Sequence, residues 1–216
     1  MTNLLVVAKS PVPGRVKTRL CPPFTPAEAA ALAEAALRDT LDLVVAAPAT
    51  RRVLALEGEP GPWLPAGIEV RPQRGAGLDE RIANALADLT GPTLLVGMDT
   101  PQLTMRHLTV DFANHDAWFG PAADGGFWGL GLRGPDPALV LGVPMSRDDT
   151  GAVQLARLRS AGLRVGLLPV LRDVDTAADA GAVAAECAAT GAGRRFATAY
   201  DALSAALTVP AGARVG

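Results

Sequence analysis

Asp99 stands where an apolar run gives way to a turn. The run Thr93-Leu94-Leu95-Val96-Gly97-Met98 is almost continuously apolar, the pattern of a strand buried on both faces of a parallel sheet. Pro101 prevents the ladder or a simple helix from continuing. Ligands of open α/β sheets sit outside the carboxyl ends of the strands, so Asp99 is placed for ligand chemistry. The plain alternative is a turn aspartate that satisfies its own backbone.

The segment Lys9-Ser10-Pro11-Val12-Pro13-Gly14-Arg15-Val16-Lys17-Thr18-Arg19-Leu20 carries four cations and no acid. Two prolines stiffen it, and Gly14 permits a tight turn or the close approach of a ligand. Lys9, Arg15, Lys17 and Arg19 after a first strand suit a phosphate or diphosphate, with Arg as a planar fork and Lys as a point charge. A solvated basic loop has the same composition. The spacing matches neither a P-loop nor a Rossmann fingerprint.

Three further stretches carry polar chemistry. Gln73-Arg74-Gly75-Ala76-Gly77 precedes a helix start near Leu78, where Asp79 and Glu80 complement the dipole. Gln73 and the backbone near Gly75 could read a nucleobase if this loop faces the basic one. Asp124-Gly125-Gly126, followed by Phe127 and Trp128, is a hairpin turn. It would also let a sugar ring lie against backbone with a carboxylate on its hydroxyls, and the alternation of Gly129 and Gly131 clears one face of the next strand. Asp173 and Asp175 follow a strand end at a spacing that lets both reach a metal, or cap the next helix. His107 and His115 have no companion ligands and read as surface or locally bonded residues.

These residues need a frame. The chain has 216 residues, of which 49% are hydrophobic, 4% aromatic and 19% charged. That is enough for one substantial core built from Ala, Leu and Val. A net charge of −2 does not favour nucleic-acid binding. Cys21 and Cys187 lack metal-ligand spacing and read as thiols. No stretch is long enough to span a membrane and the first residues do not resemble a leader, so a cytoplasmic protein is expected.

Strands are expected over Leu4–Ala8, Arg51–Leu56, Ile68–Arg71, Thr93–Met98, across the Ala117–Leu132 strand–turn–strand, and over Arg164–Leu168. Helices are expected from Thr25, as N-cap with Pro26 and Glu28, to about Ala46, from Leu78, over Thr104–Asn114, over Gly151–Ser160, and as one or two Ala-rich helices over Ala177–Leu207. The order implies a single three-layer α/β/α domain over residues 1–216 with a mostly parallel sheet, and a flexible tail over 208–216. The Ala-rich C-terminal helices could support a homodimer.

The basic loop, Gly97-Met98-Asp99-Thr100-Pro101, Gly120-Pro121-Ala122-Ala123-Asp124-Gly125-Gly126 and Asp173-Val174-Asp175-Thr176 occur in that order. Together they resemble a bacterial family of candidate nucleotide-diphospho-sugar transferases, some labelled glycosyltransferases of arsenosugar biosynthesis. The resemblance runs from Leu4 to about Ala180. It implies the type A glycosyltransferase fold, shared with nucleotidyltransferases of molybdenum-cofactor and deazaflavin assembly. It further implies that Arg15, Lys17 and Arg19 hold phosphates, that Asp99 binds a divalent metal (Mg or Mn), and that Asp175 is a second metal-side aspartate. This chain departs from the family in having Leu78-Asp79-Glu80-Arg81 where Leu-Gly-Glu-Arg is usual, and Ala123 where an Asp is frequent. The expected activity is metal-dependent transfer of a sugar from a nucleotide-diphosphate donor to a small-molecule acceptor, with Asp124 contacting the sugar or acting as base. The runner-up is nucleotidyl transfer from a nucleoside triphosphate to a phosphorylated acceptor, releasing pyrophosphate.

Overall fold

Alternating apolar residues in the first strand divide the core into two layers. In the computed structural model, which describes residues 1–208, β1 (Asn3–Lys9) turns Leu4, Val6 and Ala8 to one face and Leu5 to the other. The remaining strands are β2 (Arg52–Glu57), β3 (Glu69–Pro72), β4 (Thr93–Gly97), β5 (Ala117–Pro121), β6 (Phe127–Leu132) and β7 (Val165–Leu167). They form one sheet in the order β3-β2-β1-β4-β6-β5-β7. Only β6 runs antiparallel to its neighbours. The chain builds outward from β1 to β3, then returns to place β4 on the other side of β1, so the topological switch lies between β1 and β4.

Helix α1 (Pro26–Ala46) covers the first face with Ala30, Ala33, Leu37, Leu41 and Val44. Its start is the expected capping box: Thr25 Oγ1 accepts from Glu28 N at 3.3 Å, and Glu28 Oε2 accepts from Thr25 N at 2.8 Å. On the second face, α2 (Leu78–Ala87) contributes Ile82 and Leu86, and α4 (Thr150–Ser160) contributes Leu158. Helices α5 (Ala177–Thr190) and α6 (Arg194–Thr208) pack outside α1. Ala180, Val183, Ala184, Phe196 and Ala197 meet Leu32, Ala35 and Ala36 there, while Ala178, Ala182, Ala185, Ala188 and Ala189 of α5 are exposed. Asp39 of α1 ties the layer together by accepting from Arg195 N and Phe196 N at 3.2 and 2.8 Å. The fold is the expected mostly parallel α/β/α arrangement. The expected tail lies, from residue 209 onward, outside the described residues.

The helix expected over Thr104–Asn114 is one turn, α3 (Met105–Leu108). The residues beyond it are irregular, and their carbonyls take donors from elsewhere in the chain. Arg133 gathers those of Phe112, Ala113 and His115, and Trp118 Nε1 donates to Asp111 O at 2.9 Å. Distant side chains satisfy this backbone. The space beside Gly131 is also taken: a β-carbon there would lie 3.0 Å from Trp118 Cβ and 3.3 Å from the Phe112 ring. Packing of these aromatics, rather than a ligand, accounts for that glycine. Cys21 and Cys187 are free thiols.

Candidate functional site

All strands except β6 point their carboxyl ends to one edge, and a cleft of about 670 Å³ opens there. It is assembled from strand ends and the loops that leave them.

The basic loop is anchored at both ends. Ser10 Oγ donates to Glu59 O at 2.5 Å, while Val16 and Leu20 are buried. Gly14 takes φ +74° at the bend. Lys17 adopts the left-handed conformation, φ 48° and ψ 39°, just before a 3-10 turn at Thr18–Leu20. This conformation is uncommon for a residue with a β-carbon. Its Nζ lies 2.8 Å from Asp99 Oδ1. Arg19 donates to Asp175 Oδ2, and Lys9 Nζ lies 3.1 Å from Glu57 Oε1. The loop has no acid of its own, but three of its four cations meet carboxylates from elsewhere in the chain. Arg15 is exposed on the same loop, and neither it nor Gly14 forms part of the cleft wall.

Backbone bonds place the aspartates. Leu171 N donates to Pro121 O at 3.2 Å and Ala123 N to Leu171 O at 2.8 Å, continuing the β5 edge. Val174 N then donates to Asp99 O at 2.8 Å. The segment 171–175 is thereby laid between the ends of β4 and β5. Asp99, Asp124, Asp173 and Asp175 all line the cleft. Burial, with the charges of Asp99 and Asp124 next in weight, pushes the Asp173 carboxyl up to about 7, against the pull of Lys17. Its Oδ1 is buried without a hydrogen-bond partner, as is the Thr100 hydroxyl beside Asp99.

At the β2–β3 end, Glu57 is held by Lys9 and Arg81. Partial burial opposes its charge, but these two cations hold it below the ordinary glutamate value. Gln73 lines the cleft with its amide nitrogen committed to the sheet, donating to Ala8 O at 2.8 Å and Ala55 O at 3.0 Å. Leu78 and Ile82 add apolar surface.

At the β5–β6 end, Asp124 performs its turn role, since its Oδ1 accepts from Gly126 N at 2.9 Å. It is also exposed to the cleft, beside Phe127 and Trp128. The turn is fastened to the start of α4. Gly151 N donates to Gly125 O at 2.7 Å, and a β-carbon on Gly125 would lie 1.9 Å from Asp148 O. Met145, Ser146, Arg147 and Asp148 form the wall above, with Ser146 at φ 59° and Arg147 bonded to both Asp149 oxygens. His107 is locally bonded, through Nδ1 to Thr104, and packs edge-on against Trp128; burial lowers its pKa.

Of the residues singled out in the sequence, the cleft thus gathers Lys9, Lys17, Arg19, Gln73, Asp99, Asp124 and Asp175. It adds Glu57, Arg81, Asp148 and Asp173, the last seen in sequence only as half of a pair. Glu57 carried a signal, a carboxylate ending a strand. Asp148 had none beyond a polar break. Among the described residues, no group of three or more His, Cys, Asp or Glu side chains is set around one cation position, and no helix is long and apolar enough to cross a membrane.

A family model described as "Uncharacterized protein conserved in bacteria (DUF2064)" matches residues 31–147, a span that holds Gln73, Asp99 and Asp124. A search of curated proteins finds no match. Among solved structures, the chain is similar to a candidate nucleotide-diphospho-sugar transferase from Desulfovibrio desulfuricans. The two are 27% identical with a TM-score of 0.73, over 82% of this chain and 84% of that one. A CMP:2-keto-3-deoxy-manno-octonic acid synthetase complexed with CTP is 12% identical with a TM-score of 0.57, over 88% and 100% of the two chains. A protein from a Mycobacterium species, homologous to Rv0371c of Mycobacterium tuberculosis, is 17% identical with a TM-score of 0.52, over 85% and 96%. At such identities the last two show the fold alone. That fold is the nucleotide-diphospho-sugar transferase fold.

Proposed function

The chain belongs to the bacterial DUF2064 family, and we propose that it is a divalent-metal-dependent glycosyltransferase acting in the cytoplasm. It moves a sugar from a nucleotide-diphosphate donor to a hydroxyl of a small-molecule acceptor. The observation that carries this reading is the meeting of the basic loop with the strand-end carboxylates at the switch point, with Lys17 Nζ 2.8 Å from Asp99 Oδ1.

The donor set fits a metal. Mg²⁺ and Mn²⁺ prefer oxygen ligands, and Mg²⁺ is commonly held by one or two carboxylates with substrate phosphates and water completing the shell. Asp99 and Asp175 would hold it, and the partnerless buried oxygens of Asp173 and Thr100 supply further polar atoms beside them. Such an ion neutralises charge on a departing nucleoside diphosphate. Lys9, Lys17 and Arg19 bind the diphosphate oxygens. Gln73 and Glu57, on the β2–β3 side, face the base. Phe127 offers apolar surface to a sugar ring, whereas Trp128 is buried in the core with its Nε1 donating to Pro169 O, and Asp124 either bonds the sugar hydroxyls or takes the proton of the acceptor hydroxyl.

One observation favours nucleotidyl transfer as a second reading. Five cations line the cleft, namely Lys9, Lys17, Arg19, Arg81 and Arg147, and a triphosphate could use them all. Calorimetry with nucleoside diphosphates, nucleotide sugars and triphosphates, with and without Mn²⁺, separates the two. Metal-dependent preference for a diphosphate or its sugar supports glycosyl transfer. Preference for a triphosphate, followed by pyrophosphate release with an acceptor, replaces it with nucleotidyl transfer.

A further inference from the structure

Both carboxylates assigned above to the metal are met by a cation of the basic loop. Lys17 Nζ is 2.8 Å from Asp99 Oδ1, and Arg19 donates to Asp175 Oδ2. The settings differ. The Lys17 side chain is 11% exposed and that of Arg19 is 74% exposed.

The inward course of Lys17 is built into the loop. Val16 before it and Leu20 after it are buried, and Leu20 N donates to Lys17 O at 3.0 Å. Between these anchors Lys17 holds a left-handed backbone conformation that usually carries a cost for a residue with a β-carbon. Non-glycine residues in such conformations gather at ligand sites. The result is an ammonium inserted among carboxylates, close enough to influence Asp173 as well as Asp99.

An ammonium at hydrogen-bond distance of Asp99 Oδ1 competes with a metal ion for that oxygen. A second cation placed there would also be repelled at short range. A diphosphate changes this balance, because it offers the ammonium another anion within the same cleft. We propose that Lys17 is a placeholder cation, which keeps Asp99 closed to a metal ion until a diphosphate draws the ammonium away, so that metal and diphosphate bind as one cooperative unit. This rests on the metal and diphosphate roles assigned under the proposed function. Arg19 acts on Asp175 in the same sense and more weakly, since solvent screens an exposed pair. Coupling between two ligands is reciprocal, so the metal must strengthen diphosphate binding by the same factor.

The test uses the full chain, Mn²⁺ and inorganic pyrophosphate as probes, and calorimetric titration of each alone and of both together. In the wild type, pyrophosphate should raise the affinity for Mn²⁺ by on the order of tenfold or more. In Lys17→Met, Mn²⁺ alone should bind on the order of tenfold tighter than in the wild type, pyrophosphate alone should bind more weakly, and the coupling factor should fall below the wild-type value to the part that direct metal–phosphate coordination supplies. Arg19→Met, at an exposed position, should shift Mn²⁺ affinity in the same direction by less, and serves if Lys17→Met does not fold. If the wild type binds the manganese–pyrophosphate pair but neither variant gains affinity for Mn²⁺ alone, the placeholder role is wrong and the proposed function stands. If the wild type binds neither probe in any combination, the metal and diphosphate assignments fail, and the placeholder role falls with them.

Discussion

Gly14 and Gly125 both have left-handed backbones but stand in different surroundings, and replacing each by alanine separates two costs. Gly14 has φ +74° and no atom within 4 Å of the position a β-carbon would take. Gly125 has φ +90°, and its β-carbon would lie 1.9 Å from Asp148 O and 2.6 Å from Asp148 C. Gly14→Ala meets only the left-handed penalty of about 1–2 kcal/mol. Reduced freedom of the unfolded chain returns about 0.4–1 kcal/mol. A net loss of about 1 kcal/mol follows, or about 2–4 °C in Tm for a domain of this size. Gly125→Ala meets the same terms and must also move backbone, which adds about 1–3 kcal/mol by the measure of overpacked sites. Its loss should therefore be about 2–4 kcal/mol, with a Tm lower by about 5–15 °C. Urea unfolding of both variants at one pH measures the difference. Equal losses, or a Gly125→Ala midpoint indistinguishable from the wild type, would refute the claim that the Asp124 turn and the start of α4 are locked together through Gly125.

Three other outcomes follow from the same geometry. Asp124→Asn keeps an oxygen for Gly126 N, so stability should change by less than about 0.5 kcal/mol, while transfer falls by about 10²–10⁴-fold if Asp124 is the base; steady-state rates and thermal melts check both. Asp173 has a folded pKa of about 7 against an ordinary value of 3.8. The folded state therefore holds the proton longer than the unfolded state, and stability should decline as pH rises from about 4 to about 7, then level off. At about 1.4 kcal/mol per tenfold change in ionisation constant, the span is on the order of 4 kcal/mol. Asp173→Asn should lose that slope and exceed the wild type in stability at high pH, as read by urea unfolding across pH. Asp39→Ala removes the acceptor for two α6 amides and should cost about 1–2 kcal/mol, as loss of a helix cap does, measured by urea unfolding.

Local chemistry in the sequence foretold the elements whose cause is local. The Thr25–Glu28 box sits within four residues, and the hairpin at Asp124-Gly125 needs only its own turn residues. The strand ends were legible too, because Asp99 and Asp124 each close an apolar run. What failed to show was every arrangement made by distant partners. The helix after Thr104 stops after one turn, and the irregular segment beyond it is held by Arg133, which follows β6 and takes the carbonyls of Phe112, Ala113 and His115. Lys17 reads as one of four similar cations until the fold carries Asp99 to it. Asp173 and Asp175 are equivalent by spacing, and only the backbone bonds of Leu171 and Val174 bury one while leaving the other to Arg19. Gly129 and Gly131 look alike in sequence. Only the structure shows that Trp118 and Phe112 occupy the space beside the second.

The measurement that bears most directly on the function is metal-dependent nucleotide binding by Asp99→Ala beside the wild type, with circular dichroism to establish that the variant folds. The wild type should bind a nucleoside diphosphate or its sugar more tightly with Mn²⁺ than without, and the variant should lose that dependence while retaining weak metal-free binding through Lys9, Lys17 and Arg19. A folded Asp99→Ala chain whose Mn²⁺-dependent binding equals that of the wild type would contradict the assignment of Asp99 and the mechanism built on it.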